Sequence, residues 1–371
     1  MARMKVVVVG GGMAGLSCAA NLSAHCNVTV LEAESAIGYH SSGRSAASYI
    51  EPYVNETIFT LTHSSRAFFE NPPPGFADAP LVAPRADVMI ASAPKSHLID
   101  AYLSRWGRLC PGLVEIDAAA AIAQVPILRP ESVARAIADP NVLDIDVHGL
   151  LNGFRRVLRA NGGVLETGSR VDSLARTDGQ WRIGASGRGH VCDVVVDAAG
   201  AWSDQVAGLA GVAPVGLVPK RRTAVLLRCD HPDVSRWPIV HEIESAFYFK
   251  PDAGRLLLSP ADQTPSPPCD AQPDEIDVAV AIERFEGATT LSVARVEHRW
   301  AGLRSFVADS VPVVGFDPDA AGFFWLVGQG GFGIQTSPSM GRLSAALVRS
   351  VDIPEDLRAR GLTNDLFRPR R

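Results

Sequence analysis

The chain has 371 residues, enough for about two domains, and its 47% hydrophobic and 20% charged residues are ordinary for a globular protein. A net charge of −5 argues against a general nucleic-acid binder, and no apolar run reaches the roughly 18 residues that a membrane-spanning helix needs. The six cysteines are scattered without CxxC or zinc spacing, so we expect no metal site, and without an export signal we expect a cytoplasmic protein with unpaired thiols.

The first predicted element is a nucleotide-binding unit in residues 5–32. A run of four valines suits a buried parallel strand. Gly10, Gly12 and Gly15 follow in G-x-G-x-x-G spacing, and then come a stretch that can be helical and a second strand that ends on Glu32. Glycines at such a turn let a pyrophosphate approach the backbone at a helix N-terminus, and the acidic residue accepts hydrogen bonds from a ribose.

Two other interpretations of this start remain open. Residues 1–20 have two early basic residues, an apolar stretch and small residues, as a signal peptide does. The central glycines are poor helix formers, however, and the strand with Glu32 follows at the distance that a nucleotide unit requires. The second alternative is a turn of a parallel sheet that binds nothing.

The middle of the chain alternates helical and extended patterns. An amphipathic helix is predicted over Val147–Ala160, with Asp144 or Asp146 as its cap. A hairpin with an Asp178-Gly179 turn follows. The other predicted elements before residue 200 are helices at 57–70, 95–106 and 117–124, a strand at 81–91 interrupted by Arg85 and Asp87, and a buried strand at 194–196.

Residues 215–310 change character, because short β-like pieces alternate with Pro/Asp-rich segments. This pattern indicates an antiparallel sheet inserted between pieces of the nucleotide domain. The last part of the chain again predicts a strand, a glycine turn and a helix.

Seven stretches taken in order make the chain resemble the D-amino acid oxidase superfamily of FAD-dependent enzymes, with the bacterial D-arginine dehydrogenases as the most similar branch. They are VVVVGGGMAGLSCAANLSAH, GYHSSGRSAASY, SRAFFENPPPGF, AAGAWSDQVAGLAGVAPVGLVPKRR, FYFKPDAG, EHRWAGLRSFVAD and GQGGFGIQTSPSMG. The resemblance implies an α/β fold (α+β overall), with a doubly wound Rossmann-like FAD domain and an inserted mixed or antiparallel substrate domain. We expect the FAD domain at 1–50, 145–215 and 305–371, and the substrate domain at 51–144 and 216–304.

The resemblance also implies which residues hold FAD. The residues implied to bind the ADP half are Gly10, Gly12, Ala14, Gly15, Glu32 and Ala33, with Val171 on the adenine side. The residues implied to contact the pyrophosphate and the flavin ring are Ser41, Ser42, Arg44, Ser45, Ala46, Ala47 and Gly200. The helix start that is implied to contact the flavin comprises Gly330, Gly331, Phe332, Gly333, Ile334 and Gln335. We expect FAD to be bound without a covalent link, because no Cys or His lies in GQGGFGIQTSP, although His40 remains a possible attachment point.

For the substrate, the resemblance assigns Arg222, Arg304 and Tyr248 to an α-carboxylate. It assigns Gly331 and Gln335 to the amine and carboxylate region, and Tyr53 and Asp87 to the side-chain pocket. A buried guanidinium needs an anion, and a planar carboxylate fits its fork. The alternatives are that each arginine pairs with a local acidic residue, that Tyr248 is a core aromatic residue, and that Asp87 pairs with Arg85 or faces solvent.

Four positions depart from the resembling branch. The branch has histidine, glutamate, tyrosine and threonine where this chain has Ser48, Asp87, Phe332 and Ile50. Serine is too weakly basic to replace that histidine directly, so we predict no general base.

The predicted function is oxidative deamination of D-amino acids with basic or hydrophobic side chains to 2-oxo acids and ammonia, by hydride transfer from the α-carbon to FAD. The electron acceptor would be a quinone or oxygen, and the protein a monomer or weak homo-oligomer. One alternative is an oxidase of glycine, sarcosine or another secondary amine. Another is a nucleotide-binding redox regulator without catalysis.

Overall fold

A computed structural model describes residues 3–370, in which four β-sheets are combined with ten α-helices. The strands are β1 (Lys5–Val9), β2 (Asn27–Leu31), β3 (Ser48–Tyr49), β4 (Val82–Pro84), β5 (Asp87–Ala91), β6 (Val114–Ile116), β7 (Arg135–Asp139), β8 (Leu143–Ile145), β9 (Val164–Glu166), β10 (Val171–Thr177), β11 (Gln180–Ala185), β12 (Arg188–Cys192), β13 (Val194–Asp197), β14 (Val218–Arg228), β15 (Ile239–Glu242), β16 (Tyr248–Asp252), β17 (Arg255–Ser259), β18 (Val296–Phe306), β19 (Val313–Phe316) and β20 (Phe323–Val327). The helices are α1 (Met13–Ser23), α2 (Glu56–His63), α3 (Arg66–Glu70), α4 (Leu98–Trp106), α5 (Ala118–Gln124), α6 (Val147–Ala160), α7 (Ser203–Leu209), α8 (Glu275–Ala288), α9 (Ser337–Val348) and α10 (Glu355–Arg358).

A six-stranded sheet in the order β19-β20-β13-β1-β2-β9 carries the nucleotide unit. All of its neighbouring strands are parallel except β19 and β20. Val6 and Val8 belong to the core shared with α1, α6 and α9, whereas Val7 and Val9 belong to the core shared with β10–β12 and α7. Because both faces of β1 are covered, its residues are apolar without alternation, as the valine run predicts. The doubly wound α/β fold is confirmed.

An eight-stranded sheet in the order β18-β14-β17-β16-β15-β5-β7-β6 forms the second large layer. It is mixed, since β5 and β15 run parallel while the other neighbours are antiparallel. Helix α8 covers one face through Val278 and Phe285 and was not predicted. A signal for it exists in the sequence, because Asp274 caps the helix by accepting from the Ile276 N–H (2.9 Å) ahead of helically spaced apolar residues.

The predicted strand at 81–91 is in fact two strands in different sheets. β4 pairs with β8 in a three-stranded sheet, whereas β5 lies in the eight-stranded sheet. Ala86 between them has φ of 64°, in the left-handed region, and the Arg85 side chain donates to Asp144 Oδ2 at 2.7 Å. The polar interruption in the sequence therefore marks a change of sheet.

The local predictions around α6 and the hairpin are confirmed. Helix α6 spans Val147–Ala160, and Asp146 rather than Asp144 caps it by accepting from Gly149 N–H at 2.9 Å. Asp178 and Gly179 both have positive φ, as the turn of a two-residue hairpin between β10 and β11 requires.

The two large sheets draw on alternating parts of the chain. Strands of the six-stranded sheet come from 5–31, 164–166, 194–197 and 313–327, and those of the eight-stranded sheet from 87–139, 218–259 and 296–306. The domain ranges given above stay a proposal. Within residues 3–370, no helix has the length and apolar character needed to cross a membrane.

Candidate active site

The glycine turn between β1 and α1 has two kinds of glycine. Gly10 has φ of 110°, and a Cβ there would lie 2.4 Å from Ala198 O. A Cβ on Gly15 would lie 2.0 Å from Gly10 O, so this glycine lets helix and strand pack. At Gly12 the nearest atom would be Ser42 Oγ at 3.4 Å, an ordinary contact. Gly12 is therefore the glycine whose missing side chain leaves space in front of the helix N-terminus.

A cavity of about 300 Å³ lies over this turn and the end of β2. Glu32, buried on its wall, accepts from Gly11 N–H at 2.6 Å and from Glu34 N–H at 2.8 Å. These bonds fix the carboxylate beside the cavity. The predicted cofactor residues on its wall are Gly10, Gly12, Glu32, Ala33, Ser41, Ser42, Val171 and Gly200.

A second cavity of about 140 Å³ continues from the first, since Gly12, Ser41, Ser42 and Gly200 line both. The other predicted cofactor or substrate residues on its wall are Ala14, Ser45, Arg222, Arg304, Gly330, Gly331, Gly333 and Ile334. The two cavities form one elongated cleft that runs from an acidic residue, past open backbone at a helix start, to two arginines. These residues would fit a bound dinucleotide.

Three predicted cofactor residues make contacts within the protein in this structure. The Arg44 guanidinium donates to Ala271 O (3.1 Å) and Ala301 O (3.0 Å) and pairs with Asp270, so it clamps the loop before β3 onto the eight-stranded sheet. Ala46 O accepts from Lys250 Nζ at 2.8 Å. Phe332 is almost fully buried in the core around α1.

Gln335 also uses its amide within the protein. Its Oε1 accepts from Ile50 N–H at 3.1 Å, and its Nε2 donates to Ile50 O and to Thr62 Oγ1 at 3.0 Å each. The side chain is 4% exposed. Gln335 therefore fixes the backbone at Ile50, and any contribution to substrate binding comes through that positioning.

Arg222 and Arg304 face the second cavity from neighbouring strands. In the β14–β18 register, Arg222 lies opposite Gly302 and is thus the diagonal neighbour of Arg304. Arg222 Nε donates to the Asp262 backbone O at 2.8 Å, while the Asp262 carboxylate stays 3.9 Å away. Within residues 3–370, no carboxylate forms an ion pair with Arg304. The alternative that each arginine pairs with a local acidic residue is therefore wrong for Arg304, whereas Arg222 has the Asp262 carboxylate at 3.9 Å.

The electrostatics of the arginine pair favour an anion. Burial, and then repulsion from Arg304, lower the pKa of Arg222. Tyr248, also buried, is hydrogen-bonded to Arg222. Burial raises its pKa, but the positive charges of Arg304 and Arg222, with hydrogen bonds to Ser259 and Arg222, outweigh burial and leave the pKa below its ordinary value. Gly331 lies against Arg304, because a Cβ there would be 2.9 Å from Nη1. Two guanidinium groups and a phenol thus lie close together, and within residues 3–370 no carboxylate forms an ion pair with both arginines.

A third cavity, of about 590 Å³, shares no lining residue with the second cavity. The Tyr53 ring lines it, and the Tyr53 hydroxyl contacts Arg304. Asp87 lies on its wall and is 6% exposed, with Oδ1 2.5 Å from His241 Nδ1. The alternatives of an Arg85–Asp87 pair or an exposed Asp87 are wrong, because Arg85 bonds Asp144 and Asp87 is buried beside His241.

No residue on the wall of the second cavity is an evident general base. Ser48 lies in β3 opposite Asp144 of β8. Of the described residues that line this cavity, none is a histidine or a carboxylate. His241, which the sequence analysis missed, serves the third cavity instead. Its pairing with a residue 154 positions away leaves no local signal in the sequence.

Similarity to known proteins agrees with this arrangement. The glycine oxidase of Pseudomonas putida is 25% identical over 380 residues, covering 94% of this chain and 95% of that enzyme. FAD-dependent oxidoreductase domain-containing protein 1 of Xenopus laevis is 26% identical over 239 residues, or 54% of this chain and 47% of that protein, so the chain spans about half of this relative. The crystal structure of glycine oxidase from Geobacillus kaustophilus shares the fold, with a TM-score of 0.81, 22% identity and coverage of 98% and 99%.

The family follows from a family model that matches most of the chain. Residues 5–347 match the family described as DAO, FAD dependent oxidoreductase. This range includes the glycine turn, the arginine pair and all three cavities. The chain belongs to the DAO family of FAD dependent oxidoreductases, and its cofactor is FAD.

Proposed function

We propose that this enzyme oxidises the amine-bearing carbon of a D-amino acid whose carboxylate is held by Arg222 and Arg304. The observation that carries the proposal is the buried arginine pair at the inner end of the cleft, where Arg304 forms no ion pair with a carboxylate of residues 3–370 and Arg222 has Asp262 at 3.9 Å. Guanidinium groups match a planar carboxylate through paired hydrogen bonds. The D configuration and the likeness to D-arginine dehydrogenases rest on the sequence resemblance.

The residues of the cleft have different roles in such a reaction. When bound, FAD accepts the hydride that leaves the α-carbon, while the protein supplies orientation and charge. Arg222, Arg304 and Tyr248 hold the carboxylate, so that the α-carbon is directed toward the glycine-lined part of the cleft. Because none of the described residues on the wall of the second cavity is a histidine or a carboxylate, the amine gives its proton to solvent before its lone pair assists hydride departure. Water then adds to the imino acid, which yields a 2-oxo acid and ammonia.

The main competing function is oxidation of glycine, sarcosine or another secondary amine with oxygen. Glycine oxidases among the similar proteins favour it. The third cavity favours a larger substrate, because glycine has no side chain to fill about 590 Å³ beside Tyr53. An anaerobic screen of D- and L-amino acids, glycine and sarcosine, read as flavin bleaching, separates the two.

Bleaching by several D-amino acids would support the proposal, and bleaching by glycine and sarcosine alone would replace it with the oxidase. No bleaching by any amine would favour a redox regulator. Reoxidation of the reduced enzyme by air or by a quinone analogue, followed by stopped flow, identifies the acceptor.

Asp87 is expected to favour substrates with a cationic side chain. Asp87→Asn keeps an acceptor for His241 but removes the charge, so kcat/KM for D-arginine and D-lysine should fall about 10-fold or more, equivalent to about 1.4 kcal/mol. D-leucine should stay within about threefold. Steady-state kinetics at one ionic strength test this, because salt screens charge interactions that solvent can reach. An equal loss for all three substrates would assign Asp87 a structural role.

FAD is expected to be bound without a covalent link. Of the described residues that line the second cavity, none is a cysteine or histidine. His40 lies on the nucleotide side, where its Nε2 is 3.1 Å from Glu34 Oε1 and its ring packs on Trp202. Acid precipitation should leave all yellow colour in the supernatant. Colour on the precipitated chain of the wild type, lost in His40→Asn, would identify His40 as an attachment point.

A further inference from the structure

The backbone on either side of Tyr53 is held by two side chains of helix α4. The Tyr102 hydroxyl donates to Pro52 O at 3.3 Å, and Arg105 Nη2 donates to Val54 O at 2.7 Å. Since Tyr102 and Arg105 are three positions apart, they project from the same side of the helix. Among the described residues, these are the only hydrogen bonds that join the backbone of this three-residue segment to another element.

The segment that α4 holds has an unfavourable backbone conformation. Val54 has φ of 60°, in the left-handed region, which a β-branched residue rarely adopts because its Cβ crowds the backbone there. The chain is fixed on both sides of the segment. Gln335 bonds the Ile50 backbone, and Asn55 caps α2 by accepting from Ile58 N–H at 3.0 Å. Between these two fixed points, the bonds from α4 are what hold Val54 in its strained conformation.

We propose that Tyr102 and Arg105 are positioning residues for Tyr53. The Tyr53 hydroxyl contacts Arg304, and its ring lines the third cavity. Relaxation of Val54 to a negative φ would turn the backbone that carries Tyr53, so the two bonds from α4 keep its hydroxyl beside Arg304. Neither α4 side chain lines the second cavity, and both therefore act through Tyr53. The inference rests on the proposed function, in which Arg304 holds the substrate carboxylate.

The first test removes the bond from Arg105. Arg105→Met loses the donor to Val54 O but keeps an unbranched side chain next to Trp106. KM should rise about 5- to 10-fold for every D-amino acid, the loss expected of one hydrogen bond, while kcat changes less than about threefold, because the carboxylate is held equally in the ground state and the transition state. Arg105→Lys keeps a donor and should bring KM to within about threefold of the wild type.

Arg108→Met is the matched control. Arg108 follows α4 closely in the chain and is exposed, and in the described part of the chain its guanidinium forms no hydrogen bond or ion pair. KM of this variant should stay within about twofold of the wild type. An unchanged KM in Arg105→Met, or an equal rise in Arg108→Met, would overturn the proposal.

The second test relieves the strain instead of restoring the bond. Asparagine adopts the left-handed region more readily than valine and adds less backbone freedom than glycine, and the exposed Val54 side chain tolerates a polar group. If Tyr102 and Arg105 act against the strain at this position, adding Val54→Asn to Arg105→Met should bring KM back to within about threefold of the wild type. Equal KM values for Arg105→Met with and without Val54→Asn would overturn the proposal.

A binding measurement separates the positioning role from the reaction. The 2-oxo acid derived from D-leucine should change the flavin absorbance of the wild-type holoenzyme, with a Kd that rises about 5- to 10-fold in Arg105→Met and recovers when Val54→Asn is added. If no amino acid bleaches the flavin but the Kd follows this order, the proposed function fails and the positioning role stands. If D-amino acids are oxidised but neither KM nor Kd changes in Arg105→Met, the positioning role fails and the function stands. Absence of both bleaching and binding would overturn both.

Tyr102→Phe keeps the test decisive should Arg105→Met not fold. This change removes only the hydroxyl that donates to Pro52 O and leaves the ring in place. KM and Kd should both rise about threefold or more, and Val54→Asn should again reverse the rise. Wild-type values of KM and Kd in Tyr102→Phe would overturn the proposal.

Discussion

Replacing Arg304 with methionine is expected to lower kcat/KM by roughly 30- to 5,000-fold for every D-amino acid. Removing one partner of a buried charge pair typically costs about 2–5 kcal/mol, and each 1.36 kcal/mol is a factor of ten in rate. Arg304 has no carboxylate partner in the described residues 3–370, so its charge is available to the substrate. Arg222→Met should have an effect in the same range. Anaerobic reduction of the flavin at several substrate concentrations measures it.

The neighbouring residue offers a matched control. Arg221 is next to Arg222 in β14, but its guanidinium donates to Asp277 Oδ2 at 2.8 Å, away from the cleft. Arg221→Met should change kcat/KM by less than about threefold, and FAD content should stay normal in all three variants. A loss confined to basic substrates in Arg304→Met would show that Arg304 serves the side chain. A loss of FAD would assign it to the cofactor.

Local patterns in the sequence predicted the nucleotide unit and several single elements. The valine run, the glycine spacing and Glu32 lie within one stretch of 28 residues, and each acts on near neighbours. The cap at Asp146 and the turn at Gly179 are also local, since each depends on bonds within a few residues. Physical rules for short-range structure are sufficient for such features.

The side-chain pocket depends on pairings that no local pattern encodes. Asp87 reads as a polar break in one strand, yet it lies between partners brought by two other strands, His241 of β15 and Asp139 of β7. Arg44 stands in the stretch that resembles a flavin loop, but its bonds go to residues 227 and 257 positions away. The sequence identified Asp87 and Arg44 as candidate site residues. Their hydrogen-bond partners follow only from the order of the strands in the sheets.

Gly12→Val is expected to give a folded but colourless protein. Gly12 has extended backbone, with φ of −80° and ψ of −175°, which a β-branched residue adopts readily. Its Cβ would make only an ordinary contact with Ser42, so the protein itself has room for the added Cβ. The valine would instead occupy the space where the backbone approaches the pyrophosphate at the start of α1. The ratio of absorbance at 450 and 280 nm measures bound FAD, and circular dichroism measures folding.

Two further glycines show whether the loss of colour is specific to the cofactor. Gly15→Ala places a Cβ 2.0 Å from Gly10 O, a backbone atom that cannot move aside, so this variant should lose stability by at least the roughly 1–3 kcal/mol typical of overpacking. Gly287→Ala lies in α8 with nothing within 4 Å of the added Cβ, and it should stay folded and yellow. The Tm of Gly12→Val should match that of wild-type apoprotein, because only the stabilisation by bound FAD is missing. A yellow Gly12→Val would mean that the dinucleotide does not cross this turn, and an unfolded one would mean that Gly12, like Gly15, is required for packing.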